Sequence, residues 1–438
     1  MLLFIININR QMKRIAYLSF ALALLIVTSA CKKDGPSPVT NQFEIRIENV
    51  LSPKSYLASG STGLIMPGQS ESISFQAGIG SYLSFATMFV QSNDLFYGFS
   101  DQGLGLYDEE GNPVTGDVTS FVDLWDAGTE INEEPGTGAN QPPRQAAGNT
   151  GSDENGIVQL ISAVGDGFSY PSDEEVIRLT LTHDGGTEFT LQIENISGSS
   201  SLATPLAPGA WGIHGNGVKL FEDGATAPEG LEGVAEDGDN ALLVENLVNE
   251  TAYVSPLAPG AWALTQAGSF PLFEDSQSDL GKGLEALSED GDPAELAESF
   301  GNEEAVSMSG VFNTPEGASD AGLLFPGGSY VFTVEAGEGD YLHLATMLVH
   351  TNDLFYGFDQ EGIALYQNGS PVSGDLTSQL SLWDAGTEVN EYPGAGNNQP
   401  ARGGPNSGQD ENGVVRIVDD GFSYPTVSEA IRISIQPL

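Results

Sequence analysis

The chain has 438 residues, too many for one ordinary hydrophobic core, so two or three domains are expected. Its 61 acidic residues against 14 basic ones give a formal net charge of -47, which repels phosphate backbones and argues against nucleic-acid binding. The same charge attracts divalent cations, although an acidic surface common to a whole lineage accounts for it equally well. With 55 glycines and 24 prolines the chain is expected to be rich in turns and short strands, and long helical patterns are scarce.

At the N-terminus, Met12-Lys-Arg-Ile supplies a short basic start, and Ala16 to Val27 is an apolar run. Thr28-Ser-Ala-Cys31 closes that run with small residues and with the only cysteine of the chain. The arrangement resembles a bacterial lipoprotein signal, which implies a leader over residues 1–30 and lipidation of Cys31. A plain signal peptide or membrane anchor is the competing reading. Residues 31–42, with Gly35, Pro36, Ser37 and Pro38, read as a tether. Lipidation implies an exported protein held at the outer membrane or cell surface, and no later segment is apolar enough to span a bilayer.

Beyond the tether the chain repeats itself. The strand pattern Phe43-Glu-Ile-Arg-Ile-Glu-Asn-Val50 returns as Phe189-Thr-Leu-Gln-Ile-Glu-Asn-Ile196, with apolar residues on one face. Tyr82-Leu-Ser-Phe-Ala-Thr-Met matches Tyr341-Leu-His-Leu-Ala-Thr-Met, and Gly167-Phe-Ser-Tyr-Pro171 matches Gly421-Phe-Ser-Tyr-Pro425. Two units follow, 41–184 and 188–438, joined at His183-Asp-Gly-Gly186. The second carries an insert at about 198–305, which is itself a repeat. Pro205-Leu-Ala-Pro-Gly-Ala-Trp211 recurs as Pro256-Leu-Ala-Pro-Gly-Ala-Trp262, and Gly230-Leu-Glu and Gly283-Leu-Glu each precede a Glu-Asp-Gly-Asp string. The expected fold is all-β: two tandem antiparallel β-sandwiches, the second with an inserted repeat of short strands and helical turns.

Two blocks carry chemistry in both units. Asn93-Asp94-Leu-Phe-Tyr-Gly-Phe returns as Asn352-Asp353-Leu-Phe-Tyr-Gly-Phe, and Asp123-Leu-Trp-Asp126-Ala-Gly-Thr-Glu130 as Ser381-Leu-Trp-Asp384-Ala-Gly-Thr-Glu388. The recurrence in register separates these carboxylates from the acidic background and marks a duplicated site. Acids that merely cap turns are the alternative. A long loop follows each block, and Glu133, Arg144 and Glu154-Asn-Gly156 in the first match Glu391, Arg402 and Glu411-Asn-Gly413 in the second. Glu133, Arg144, Glu391 and Arg402 are candidates for loop support or partner contact, with loop support the favoured role. Trp125, Trp211, Trp262 and Trp383 read as core residues, with sugar stacking an alternative for Trp211 and Trp262. The four histidines have no zinc spacing, and neither a recurring Ser-His-Asp set nor a phosphate loop is present.

These blocks resemble the spondin N-terminal domain family. The resemblance implies an antiparallel β-sandwich with one divalent cation per unit, calcium, on loops at one end. It assigns the ligands as Asp94, Asp126 and Glu130 in the first unit and Asp353, Asp384 and Glu388 in the second. The glutamates stand where animal spondins have aspartate. The function it implies is non-enzymatic: a calcium-binding module at the cell envelope or surface that recognises a protein or glycan. A structural spacer stabilised by calcium is the alternative, and a hydrolase built on paired carboxylates comes third.

Overall fold

The structure, a computed structural model, describes residues 40–268 and 272–438. The leader at 1–30, the lipidation at Cys31 and the tether up to residue 39 lie outside the described residues. Thr40 to Gln42, read from the sequence as the end of the tether, already belong to the first strand, Thr40–Asn49.

Antiparallel strands dominate, as the turn-rich composition predicts, and they form two matching sets of sheets. In one set, a four-stranded sheet runs Ser70–Gln76, Glu188–Asn195, Ile177–Gly185, Gly116–Asp117. Its partner is a seven-stranded sheet containing Tyr56–Ser61, Ala210–Gly215, Ser81–Met88, Leu95–Gly98 and Asp123–Asp126. The other set has the same order: Ser329–Gly337, Thr40–Asn49, Ile431–Pro437, Gly374–Asp375, packed on Val306–Phe312, Leu257–Gln266, Asp340–Leu348, Leu354–Gly357 and Ser381–Asp384. Alternating apolar side chains from each pair of sheets close one sandwich core, exemplified by Ile73, Phe85, Leu191 and Trp211 in the first and Ile45, Leu344, Ile433 and Trp262 in the second.

The outer face of each seven-stranded sheet is covered by two short helices. Leu231–Asp237 and Ala241–Asn249 place Leu231, Val234, Leu243 and Leu247 over Ala86, Phe96 and Trp125. Leu284–Asp290 and Ala294–Gly301 place Leu284, Leu287, Leu296 and Phe300 over Ala345, Phe355 and Trp383. All four tryptophans are buried, Trp211 and Trp262 at 8% and 6% exposure, so neither of these two offers a ring face to a sugar.

The boundaries 41–184 and 188–438 do not describe the packing. The N-terminal strand completes the sheet of the C-terminal part, with Ile45 opposite Phe332 on one side and Ile435 on the other. Its sequence twin, Glu188–Asn195, completes the sheet of the preceding part, with Leu191 opposite Leu181 and Ile73. The first half of the repeat placed in the insert follows it there, since Ala210–Gly215 pairs with Ser81–Met88 and Tyr56–Ser61. An inner unit of residues 56–250 is thus inserted into an outer unit made of 40–51 and 253–438. Neither unit lacks the helical segment; each holds one copy.

The cause is local. His183-Asp-Gly-Gly186 is a hairpin turn rather than a linker. Gly185 and Gly186 have φ of 109° and 56°, and the flanking strands pair from Gly185↔Glu188 inward. Such a turn makes its two strands immediate antiparallel neighbours. The inner sheet is then complete, and Thr40–Asn49 is left to fill the equivalent place in the outer sheet. Two buried asparagines mark the equivalence. Asn195 donates to the carbonyls of Ile65 and Thr204, and Asn49 donates to those of Ser255 and Leu324, all at 2.8–2.9 Å.

The two crossings between units run side by side. Ser55 and Tyr56 donate to the Glu250 carbonyl, and Ala252 donates to that of Tyr56. A second contact comes from the long loop of the outer unit. Asn397 Oδ1 accepts from the Ile79 amide at 2.7 Å, its Nδ2 donates to the Tyr107 hydroxyl at 3.1 Å, and Arg402 Nε donates to the Ile79 carbonyl at 3.1 Å.

Candidate metal centres

In each unit the strands Leu95–Gly98 and Leu354–Gly357 begin just after the first aspartate of the shared blocks, and Asp123–Asp126 and Ser381–Asp384 end on the second. The pairing Leu95↔Asp126 and Leu354↔Asp384 puts the two carboxylates together at one end of the sheet. All four aspartates are fully buried.

The loop after the strand clasps the first aspartate. Asp94 Oδ2 accepts the amides of Thr129 at 2.7 Å and Glu130 at 2.9 Å, and Asp353 Oδ2 accepts those of Thr387 at 2.7 Å and Glu388 at 3.1 Å. Oδ1 of Asp94 and of Asp353 has no hydrogen-bond partner. The second aspartate caps its own turn: Asp126 Oδ1 accepts from the Gly128 amide at 2.6 Å, and Asp384 Oδ1 from that of Gly386 at 2.7 Å. Oδ2 of each accepts from an asparagine on the same loop, Asn132 or Asn390.

The third carboxylate is not the one expected. Asp94, Asp126 and Glu154 each offer an oxygen within 4.8 Å of the others, as do Asp353, Asp384 and Glu411. Glu130 and Glu388 belong to neither cluster. Only their backbone amides serve it. Their side chains turn the other way: Glu130 accepts from the Gly151 amide at 2.7 Å and from Asn93 Nδ2 at 3.2 Å, and Glu388 accepts from the Gly408 amide at 2.9 Å and from Asn352 Nδ2 at 3.3 Å. These two acids therefore tie down the long loop, which brings the third carboxylate of each cluster back.

That return is built from the shared Glu-Asn-Gly strings. Glu154 and Gly156 donate their amides to the carbonyls of Thr129 and Gly128, and Glu411 and Gly413 do the same to Thr387 and Gly386. Asn155 and Asn412 take the left-handed conformation that asparagine tolerates, with φ of 59° and 56°. Gly128 and Gly386 are left-handed too, at 68° and 69°, and a Cβ on either would lie 2.5 Å from a backbone atom of the returning segment, at Ile157 or Val414. Gly386→Ala is expected to destabilise the outer unit by about 2–4 kcal/mol, from left-handed strain and overpacking together. Urea unfolding of this variant beside Gly322→Ala, whose Cβ meets nothing within 4 Å and whose φ is not positive, checks it.

Burial pushes the carboxyls of this region upward. For Asp94 the neighbouring Asp126 adds to it, and burial likewise raises Asp126 and Asp384. Burial and the charge of Asp384 lift Asp353 to about 7. Each helix layer adds one more buried acid, Glu236 or Glu289, beside Thr129 or Thr387, and burial raises both to about 7. Carboxylates held this close without a counter-charge disfavour one another's ionisation, and a bound cation reverses that.

The supporting residues shape the loops. Glu133 accepts from the amide and side chain of Asn140, and Glu391 from those of Asn398. Arg144 donates to the Gly138 carbonyl at 2.7 Å, to Gln91 at 3.0 Å and to Gln141. Arg402 donates to the Gly394 carbonyl at 2.7 Å and also reaches Ile79 of the inner unit. Neither arginine pairs with the glutamate of its own loop; both hold backbone in place.

Two buried acidic clusters able to hold a metal ion are thus repeated on one architecture. No family model and no curated protein matches the sequence.

Proposed function

We propose that the chain is a non-enzymatic, calcium-binding module of the cell envelope or cell surface that recognises a protein or glycan through loops ordered by the cation. The observation carrying this reading is the free Oδ1 of Asp94 and of Asp353, each on a fully buried carboxylate inside a three-acid cluster. A buried acceptor without a donor is costly, and a hard cation relieves it. Three carboxylates with backbone carbonyls and waters meet calcium's demand for six to eight oxygens. The resemblance to the spondin family supports the same choice of ion. Calcium bound there would neutralise the cluster, and the chain's own residues do the rest by fixing the loop ends.

Metal analysis of protein purified without chelator is expected to find calcium at about one ion per unit. No bound divalent metal, and no uptake on adding calcium, would sink the reading.

A structural spacer is the second reading, favoured by the burial of Trp211 and Trp262 and by the inward hydrogen bonds of Glu133, Arg144, Glu391 and Arg402. Screening the protein on glycan and matrix-protein arrays separates the two. Capture that appears with calcium and disappears with chelator supports recognition. Silence under both conditions supports the spacer.

A further inference from the structure

The two clusters differ at one position. On the strand beside the second aspartate, Gln159 stands opposite Asp126 in the inner unit, and Arg416 stands opposite Asp384 in the outer one. Arg416 Nη2 lies 2.9 Å from Asp384 Oδ2 and 2.9 Å from Glu411 Oε1, so one guanidinium nitrogen bridges two of the three carboxylates. Among the described residues no basic side chain bridges Asp94, Asp126 or Glu154. The inner cluster thus carries three formal negative charges with no internal cation, and the outer cluster carries the same three with one positive charge set against them.

Arg416 does not satisfy the outer cluster. Asp353 Oδ1, Asn390 Oδ1 and Glu411 Oε2 remain buried acceptors without a donor. These free oxygens still suit a cation, but the guanidinium already holds Asp384 and Glu411. Its side chain is 34% exposed, which leaves it a path to solvent. Calcium affinity follows the net ligand charge of a site, and a fixed positive charge a few ångströms away opposes entry of a divalent ion.

We propose that Arg416 is an internal counter-cation that makes the two centres unequal. The inner centre is the tight divalent-cation site, and the outer one loads only when Arg416 releases its bridge between Asp384 and Glu411. The inference rests on the reading of both clusters as cation sites. The chain would then respond to calcium in two stages, with the inner loops ordered at concentrations that leave the outer ones unfilled.

Calorimetric titration of the chelator-stripped full chain with calcium chloride tests it. Wild type should show two classes of site whose dissociation constants differ at least tenfold. Asp94→Asn should remove the tight class and Asp353→Asn the weak one. Arg416→Gln copies the residue the inner unit already uses at this position, so the variant is expected to fold, and it should tighten the weak class at least tenfold. Gln159→Arg should weaken the tight class by a similar factor. Two equal sites in wild type, or an inequality that Arg416→Gln leaves unchanged, overturns the role of Arg416 while leaving the cation sites standing. Absence of binding in both wild type and Arg416→Gln, with circular dichroism showing folded protein, overturns the cation reading and this inference with it.

Discussion

Ile45→Ala is expected to destabilise the outer unit, and Ile193→Ala the inner one, each by about 2–5 kcal/mol as usual for truncating a buried isoleucine. The two isoleucines lie on the buried faces of twin strands, and both are essentially unexposed. Ile45 is only eleven residues upstream of the inner unit's first strand, yet its neighbours are Ile435 and Phe332, hundreds of residues away. Hydrogen exchange followed by mass spectrometry distinguishes the alternatives by location. In Ile45→Ala, protection should fall in Asp340–Leu348 and Ile431–Pro437, and remain in Ser81–Met88 and Ile177–Gly185. In Ile193→Ala the pattern should reverse. Loss of protection in Ser81–Met88 on changing Ile45 would restore the tandem arrangement and overturn the insertion. Stability also becomes linked in one direction by this topology. Both ends of the inner unit are fixed in the outer one, so unfolding the inner unit lengthens a loop of the outer unit, a cost that grows only slowly with length.

That exchange of strands shows where the sequence was readable and where it was not. Alternating Phe43, Ile45 and Ile47 identify a strand with one buried face, as do Phe189, Leu191 and Ile193, and both are strands of that kind. Alternation says which face is buried but not which sheet receives it, and twin strands fit either sheet equally. The deciding signal was the Gly185-Gly186 turn, whose geometry forces the strands on either side of it to pair. The site was legible to the same degree. Asp94, Asp126, Asp353 and Asp384 lie in strings of adjacent residues that recur whole. Glu154 and Glu411 reach the cluster across a long loop, and only their place in the repeated Glu-Asn-Gly string pointed to them. Glu130 and Glu388 sit four residues from an aspartate, a spacing that places the backbone at the site without directing the side chain there. The helix acids Glu236 and Glu289 had no signal beyond their repeated segment, because their position depends on packing of the helices over the sheet.

Calcium in hundredfold excess over its dissociation constant is expected to raise the melting temperature of a filled unit by about 5–10 °C. Such an excess stabilises a single site by about 2.7 kcal/mol, and a domain of this size moves about 2–4 °C per kcal/mol. Asp94→Asn with Asp353→Asn should abolish the rise without costing stability in chelator. Asparagine keeps an acceptor for the Thr129 and Thr387 amides and removes a charge that the buried site disfavours. A variant that melts well below the wild type in chelator would show that these aspartates work through their hydrogen bonds rather than as cation ligands. Acidity gives an independent check with a definite sign. Asp353, Glu236 and Glu289 each have a folded pKa raised to about 7. The folded chain therefore binds protons that the unfolded chain releases, and without a cation its stability falls as pH rises through 7. Chelated protein should melt higher at pH 6.5 than at pH 8.5. Below that window the effect is opposed by His343, which burial pushes down to about 4, so its neutral form is favoured in the folded state and acid destabilises it. With calcium the difference should shrink, because the ion holds its ligand carboxylates ionised in the folded chain as they already are in the unfolded one, and binding strengthens from pH 6.5 to 8.5. A melting temperature that falls with pH as steeply in calcium as in chelator would show that the raised carboxyls are not the ones the cation meets.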